Sequence, residues 1–215
     1  VQKYSSGWYR HSPLQKGCIT CSIVNVFVSK CMHNTYLHNM KYIFTGLSLL
    51  SILYLASCAE ISYKEPQPKG VKGLSQVPAK LQGRYLIMED GELTDTLVIM
   101  PTGYRLGKDE LAILSDSLVM KYYKGYYFIN MRNDFSWYLR VVKPQKNGDL
   151  LYMAMPEVSD EQEGKKFRDQ LSQDITIVET EVDGKTFYLI DPSPKKLIQL
   201  IHKGHFKEQV FKKIK

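Results

Sequence analysis

The stretch "FSWYLRVVKPQKNGDLLYMAM", residues 135–155, decides how the rest of the chain is read. Side chains along a strand alternate between two faces. Phe135, Trp137, Leu139 and Val141 would therefore share one side, with Ser136, Tyr138, Arg140 and Val142 on the other. Apolar groups stand on both, so one face is expected to be core and the other a covered or binding surface. Lys146-Asn147-Gly148-Asp149 then marks a turn, because Asn-Gly suits the positive φ angles of a type I′ hairpin. "LLYMAM" (150–155) is the returning strand.

The same texture extends upstream. "GRYLIM" (83–88), "TLVIM" (96–100), "YRL" (104–106), "LAIL" (111–114), "SLVMKYY" (117–123) and "YYFINMR" (126–132) are separated by turn residues. Seven or eight short strands with close turns predict an antiparallel β-meander forming a barrel or sandwich. Downstream, Ser159 to about Leu171 reads as a helix with Phe167 and Leu171 four apart, capped by Ser159 with Gln162. "ITIVETEV" (175–182), Asp183-Gly184 and "KTFYLI" (185–190) predict a second hairpin. Ser193-Pro194 opens another helix with Leu197, Ile198, Leu200 and Ile201 as its apolar stripe, and Gly204 stops it. The fold class is thus mainly β (α+β), with one or two helices toward the C-terminus.

Upstream of this domain the composition changes. The 215-residue chain carries a net charge of +7, but residues 1–57 contain no Asp or Glu and five basic residues. The remainder holds 24 basic and 22 acidic residues, a near-neutral +2, so no nucleic-acid partner is expected. Cys18, Cys21 and Cys31 lie upstream, Cys58 at the junction, and none follows. Residues 81–215 must then be held by an apolar core rather than by disulfides.

Lys41 and the apolar run Tyr42 to Tyr54 have the charge and length of a secretory signal segment, too short for a comfortable bilayer span. The run ends in Leu55-Ala56-Ser57-Cys58. This box resembles the lipobox of bacterial lipoproteins. The resemblance covers residues 40–58 and implies a signal peptide over 40–57, cleaved between Ser57 and Cys58. It also implies a diacylglycerol on the Cys58 sulfur and an acyl chain on the new amino terminus. Two or more chains anchor stably, at about 0.8 kcal/mol per buried CH₂. Such a signal works from an N-terminus, so residues 1–39 are expected to be an over-extended reading frame without folded structure, with translation starting at Met40. Cys18, Cys21, Cys31 and His33 offer ligand types that zinc takes, but their irregular spacing predicts no metal site. Residues 58–80, rich in Pro, Gly and Lys, read as the lipidated cysteine followed by a flexible tether. In some Gram-negative members of the family that the box resembles, an Asp after the lipidated cysteine retains the protein at the inner membrane. By that resemblance Ala59 implies the outer membrane, with the domain facing periplasm or cell surface.

Chemistry is sparse in 81–215. His202 and His205 fall at a helix end, where they complement the dipole. Glu89, Asp90, Glu92, Asp109 and Glu110 lie in or beside turns, where local hydrogen bonding is their usual work. No catalytic residue, cofactor or metal ligand is assigned. The concentrated feature is aromatic: Tyr123, Tyr126, Tyr127, Trp137 and Tyr138 form the candidate binding surface, since Tyr and Trp supply rigid amphipathic area. The lysines of the last helix and the C-terminal run read as a solvated face or a contact for anionic headgroups. "LQGRY" (81–85) opening many antiparallel strands before a late helix resembles lipocalin-like barrels, which implies a carrier of a small apolar ligand. The expected function is a membrane-anchored envelope lipoprotein with a binding or structural role toward an envelope protein or glycan. The alternatives are that carrier and an envelope hydrolase with an unidentified site.

Overall fold

The computed structural model describes residues 60–214, apart from 90, 109, 134 and 159. Twelve strands, two α-helices and a single 3₁₀ turn at Ala79–Leu81 follow one another in these residues. The strands are β1 Ile61–Tyr63, β2 Gly83–Glu89, β3 Glu92–Met100, β4 Gly103–Leu106, β5 Glu110–Ile113, β6 Leu118–Tyr123, β7 Tyr126–Arg132, β8 Trp137–Pro144 and β9 Leu150–Ala154. Helix α1 spans Glu161–Ser172, β10 Val178–Val182, β11 Lys185–Ile190, α2 Pro194–His202 and β12 Lys207–Ile214.

The fold is mainly β, and the hydrogen-bonded order β10-β11-β1-β8-β9-β12-β2-β3-β4-β5 does not close on itself. Strands β6 and β7 branch from β8. The expected meander survives in β2–β5 and β6–β9, each a run of antiparallel neighbours. Four pairings depart from it: β1 runs parallel to β11 and antiparallel to β8, and β12 runs antiparallel to both β9 and β2.

Neighbouring residues of the central strands belong to different cores, which makes the fold layered. Phe128, Leu139, Val141 and Met153 join Leu171 of α1 and Leu197 and Leu200 of α2. Tyr127, Val142 and Leu150 join Tyr85, Ile87 and Leu106 from the β2–β5 half. One face of β7–β9 is therefore covered by helices and the other by the second half of the sheet, the arrangement of a sandwich. Both sides of the 135–142 alternation are used for burial.

The helices form where the pattern predicts, with one shift. Asp160, not Ser159, caps α1, its side chain accepting from the Glu163 N–H at 2.9 Å. Ser193 caps α2 through the Lys196 N–H at 3.2 Å, and Pro194 occupies the first turn. Gly204 ends it at φ +80°, a conformation open to glycine without a Cβ penalty. Burying Leu197, Ile198, Leu200 and Ile201 contributes about 1.5–3 kcal/mol each. The 146–149 hairpin also forms, but not as a type I′ turn. Gly148 alone has positive φ, and Gln145 and Asp149 close a five-residue loop by a 2.9 Å backbone bond. Asn147 instead donates to and accepts from Asp149. The paired positive φ values occur at Asp183-Gly184, and Lys124-Gly125 does the same between β6 and β7.

One expectation from composition is corrected. From Glu60 onward the supposed tether is part of the fold. Ile61, Tyr63, Val77 and Leu81 are buried, and β1 pairs with β11 and β8. Its prolines lack a backbone N–H and interrupt a regular ladder, and around Pro66–Pro68 side chains pair the backbone groups instead. Asn130 accepts from the Gln67 N–H at 2.6 Å and donates to the Gln67 carbonyl at 2.8 Å. The Lys121 ammonium donates to the Pro66 and Pro68 carbonyls at 2.7 and 3.0 Å. The C-terminus adds a strand that composition does not announce, with its lysines exposed as expected. The lysine-rich run is β12, whose first half pairs with β9 and second half with β2. It joins the two halves of the sheet, and Phe211 anchors it in the core. A strand with one buried side chain among lysines carries almost no hydrophobic period.

Candidate functional site

Ser57 and Cys58 lie outside the described residues, as do the predicted signal segment and residues 1–39. The five aromatic residues are described, and they do not form one surface. Tyr126 is buried on the helix side, its hydroxyl 3.3 Å from His202 Nε2. Tyr123 and Trp137 pack partly buried against that same core. Tyr127 is buried on the opposite face against the second half of the sheet. Tyr138 shares the Arg140 side of β8, its hydroxyl accepting from Asn133 Nδ2 at 2.9 Å. Period-two alternation sends consecutive aromatics to opposite layers, so a cluster in sequence becomes packing on two sides.

The polar cluster that the structure does assemble centres on Arg140. Its guanidinium pairs with both oxygens of Glu60 and, through Nη2, with Glu157 Oε1 at 2.6 Å. Arg140 and Glu60 keep only 11% of their side-chain surface exposed. Burial works to depress the arginine pKa, but the carboxylates of Glu60 and Glu157 outweigh it and the net shift is upward. Burial likewise pushes the Tyr152 phenol up to about 12, against the pull of Arg140. Tyr63 and Tyr104 are also shifted upward, mainly by burial. The planar guanidinium fork reaches two carboxylates at once, which a lysine would not do. One guanidinium serves two carboxylates, and burial raises the Glu60 pKa against the pull of Arg140. The cluster ties the chain entry at Glu60 to β8 and to the segment after β9. Sequence reasoning missed it. Its one local signal is an arginine flanked by the buried Leu139 and Val141; Glu60, 80 positions away, gives none.

A second cluster surrounds Asp174, between α1 and β10. Lys203 Nζ is 2.5 Å and Lys196 Nζ 3.5 Å from Oδ1, and His205 Nε2 is 2.9 Å from Oδ2. The hydrogen bonds from Lys203 and His205 hold the Asp174 carboxyl well below the usual range. His205 is thus a partner of Asp174 and His202 of Tyr126, and the two histidines do not converge. A depressed carboxylate pKa gives stability that is complete above the unfolded value, ~3.9, and lost as pH falls through the folded one. Asp174→Asn should therefore lower the thermal midpoint at pH 7. Its difference from wild type should shrink steadily below pH ~4 in scanning calorimetry; a gap unchanged at low pH would contradict the assignment.

Among the described residues no group of three or more His, Cys, Asp or Glu side chains could hold a metal ion. Nor, among them, is any helix long and apolar enough to cross a membrane. A shallow open groove of about 330 Å³ is lined by Leu74, Leu114, Leu118 and Val119. Glu110 sits beside Asp95 with its pKa raised by burial, while Glu89 and Glu92 flank the β2–β3 turn.

Fold and site together define a layered, mainly β domain with two helices on one face and a buried arginine–carboxylate cluster at its chain entry. Comparison of the chain with protein-family models, with curated proteins and with solved structures finds no match.

Proposed function

We propose that this chain is a lipid-anchored protein of the bacterial cell envelope, acylated at Cys58 and serving a binding or structural role at the outer membrane. The observation that carries the reading is Leu55-Ala56-Ser57-Cys58 placed directly after Lys41 and an apolar run. The absence of any later cysteine is consistent with a thiol reserved for the anchor, since the domain's two cores hold it without disulfides. The buried ion cluster fixes the polypeptide two residues after the acylated position, so the anchor acts on a domain rather than on a loose tail. The function assigned is to hold this domain at a membrane.

Palmitate labelling tests it. Wild type should incorporate labelled palmitate and partition into the detergent phase, and Cys58→Ala should do neither. Equal labelling of the two would defeat the reading. Cleavage between Ser57 and Cys58 predicts a processed form whose mass begins at Cys58.

A further inference from the structure

The outer side of the β2–β5 half is a face that nothing described covers. Cross-strand partners share a face of a sheet. Arg84 stands opposite Val98, Val98 opposite Arg105, and Arg105 opposite Leu111. On the flanking β12, Lys212 stands opposite Leu86 and Ile214 opposite Arg84. The alternate residues Tyr85, Ile87 and Leu106 point into the core, so this row points away from it. Leu111, Ile113 and Ile214 are 44%, 52% and 39% exposed there. Arg84, Arg105 and Lys212 are exposed beside them. No Asp or Glu occupies a position in this row. An apolar centre framed by cations alone complements a surface that is apolar beneath and anionic on top.

The chain entry adds a second constraint. Arg140 holds Glu60 in the fold, and the two residues from Cys58 to Glu60 span at most about 7 Å. An acylated Cys58 would hold the domain close to the bilayer; the charge and apolar pattern, not the short link, selects the face. We infer that the outer face of β2–β5 lies on an anionic bilayer. Leu111, Ile113 and Ile214 enter the headgroup region there, and Arg84, Arg105 and Lys212 pair with lipid phosphates. The inference rests on acylation of Cys58.

The test uses the acylated, processed protein in vesicles. Past Cys58 the chain has no cysteine, so a single one can be introduced and labelled. A fluorophore at Ile113→Cys reports the proposed face, and one at Gln199→Cys on the exposed side of α2 is the reference. Acrylamide quenching is read in detergent, on phosphatidylcholine vesicles, and on vesicles with added phosphatidylglycerol. The Ile113→Cys label should be shielded several-fold on the anionic vesicles alone, with the reference label unchanged. Each basic residue is worth about fivefold in surface occupancy. Reversing Arg84, Arg105 and Lys212 together to Glu should therefore abolish the shielding while leaving palmitate incorporation intact. Equal accessibility of both labels on anionic vesicles would overturn the inference and leave the anchor standing. Equal shielding on neutral vesicles would overturn its electrostatic basis. Shielding already present in detergent would assign the face to a second copy of the chain instead. Loss of the anchor reading shows separately, as unchanged palmitate labelling in Cys58→Ala.

Discussion

Arg140→Ala should cost about 3–5 kcal/mol of stability, read as a lowered midpoint of urea unfolding. The reason is asymmetry in how buried charges behave. Arg140 and Glu60 have lost most of their water, and the guanidinium is what compensates the carboxylate. Removing the arginine leaves Glu60 buried without its counter-ion, and Glu157 without its near partner at 2.6 Å. Removing both charges is a smaller perturbation, because well-packed apolar groups replace a buried pair at little net cost. Arg140→Met combined with Glu60→Leu should therefore recover most of the loss, and the double-mutant cycle should show strong coupling. Arg140→Lys should fall between, since one ammonium cannot span two carboxylates. An Arg140→Ala protein within about 0.5 kcal/mol of wild type, the range of ordinary surface substitutions, would mean that the cluster does not hold the chain entry.

Asn130→Ala should be the second large effect, about 2–6 kcal/mol, at about 1–3 kcal/mol for each of two buried backbone groups left unpaired. Asn130 is fully buried, and its amide is what pairs both polar backbone atoms of Gln67. Native-state trypsin digestion gives a sharper readout than stability alone. In wild type, cleavage after Lys64, Lys69 or Lys72 should be slow, because Gln67, Val77 and Leu81 hold the segment in the fold. In Asn130→Ala the same bonds should be cut well before the rest of the domain. Asn130→Asp keeps the acceptor for the Gln67 N–H but not the donor to its carbonyl, and should be intermediate. Rapid cleavage at these lysines in wild type would restore the flexible-tether reading.

These two residues also show where sequence reading stops. Asn130 and Arg140 both sit inside strands that alternation places correctly, and both look like polar interruptions in them. Their partners, Gln67 and Glu60, lie 63 and 80 positions away in a segment whose Pro, Gly and Lys content reads as loose chain. Composition reports how poorly such a segment forms a regular ladder. It does not report side chains elsewhere that take the place of one. The same limit hides β12. Its pairing with β9 and β2 is made by backbone groups, which every residue carries, so a lysine-rich sequence serves as well as an apolar one. Tyr126 and Tyr127 fail differently. Their clustering is real in sequence, but it is packing against two cores.

By itself, the sequence determined the local terms: the alternating strands of 83–155, the hairpin at Asp183-Gly184, and the cap and stripe of α2. Each depends on residues within a few positions of one another, where sterics and hydrogen bonding act directly. Only the tertiary structure decided that both faces of β7–β9 are covered, that the chain is fixed from Glu60, and that the C-terminal strand joins the halves of an open sheet. Those features are made between residues tens of positions apart. Burial and pairing there depend on which surfaces meet, and no periodicity along the chain encodes that.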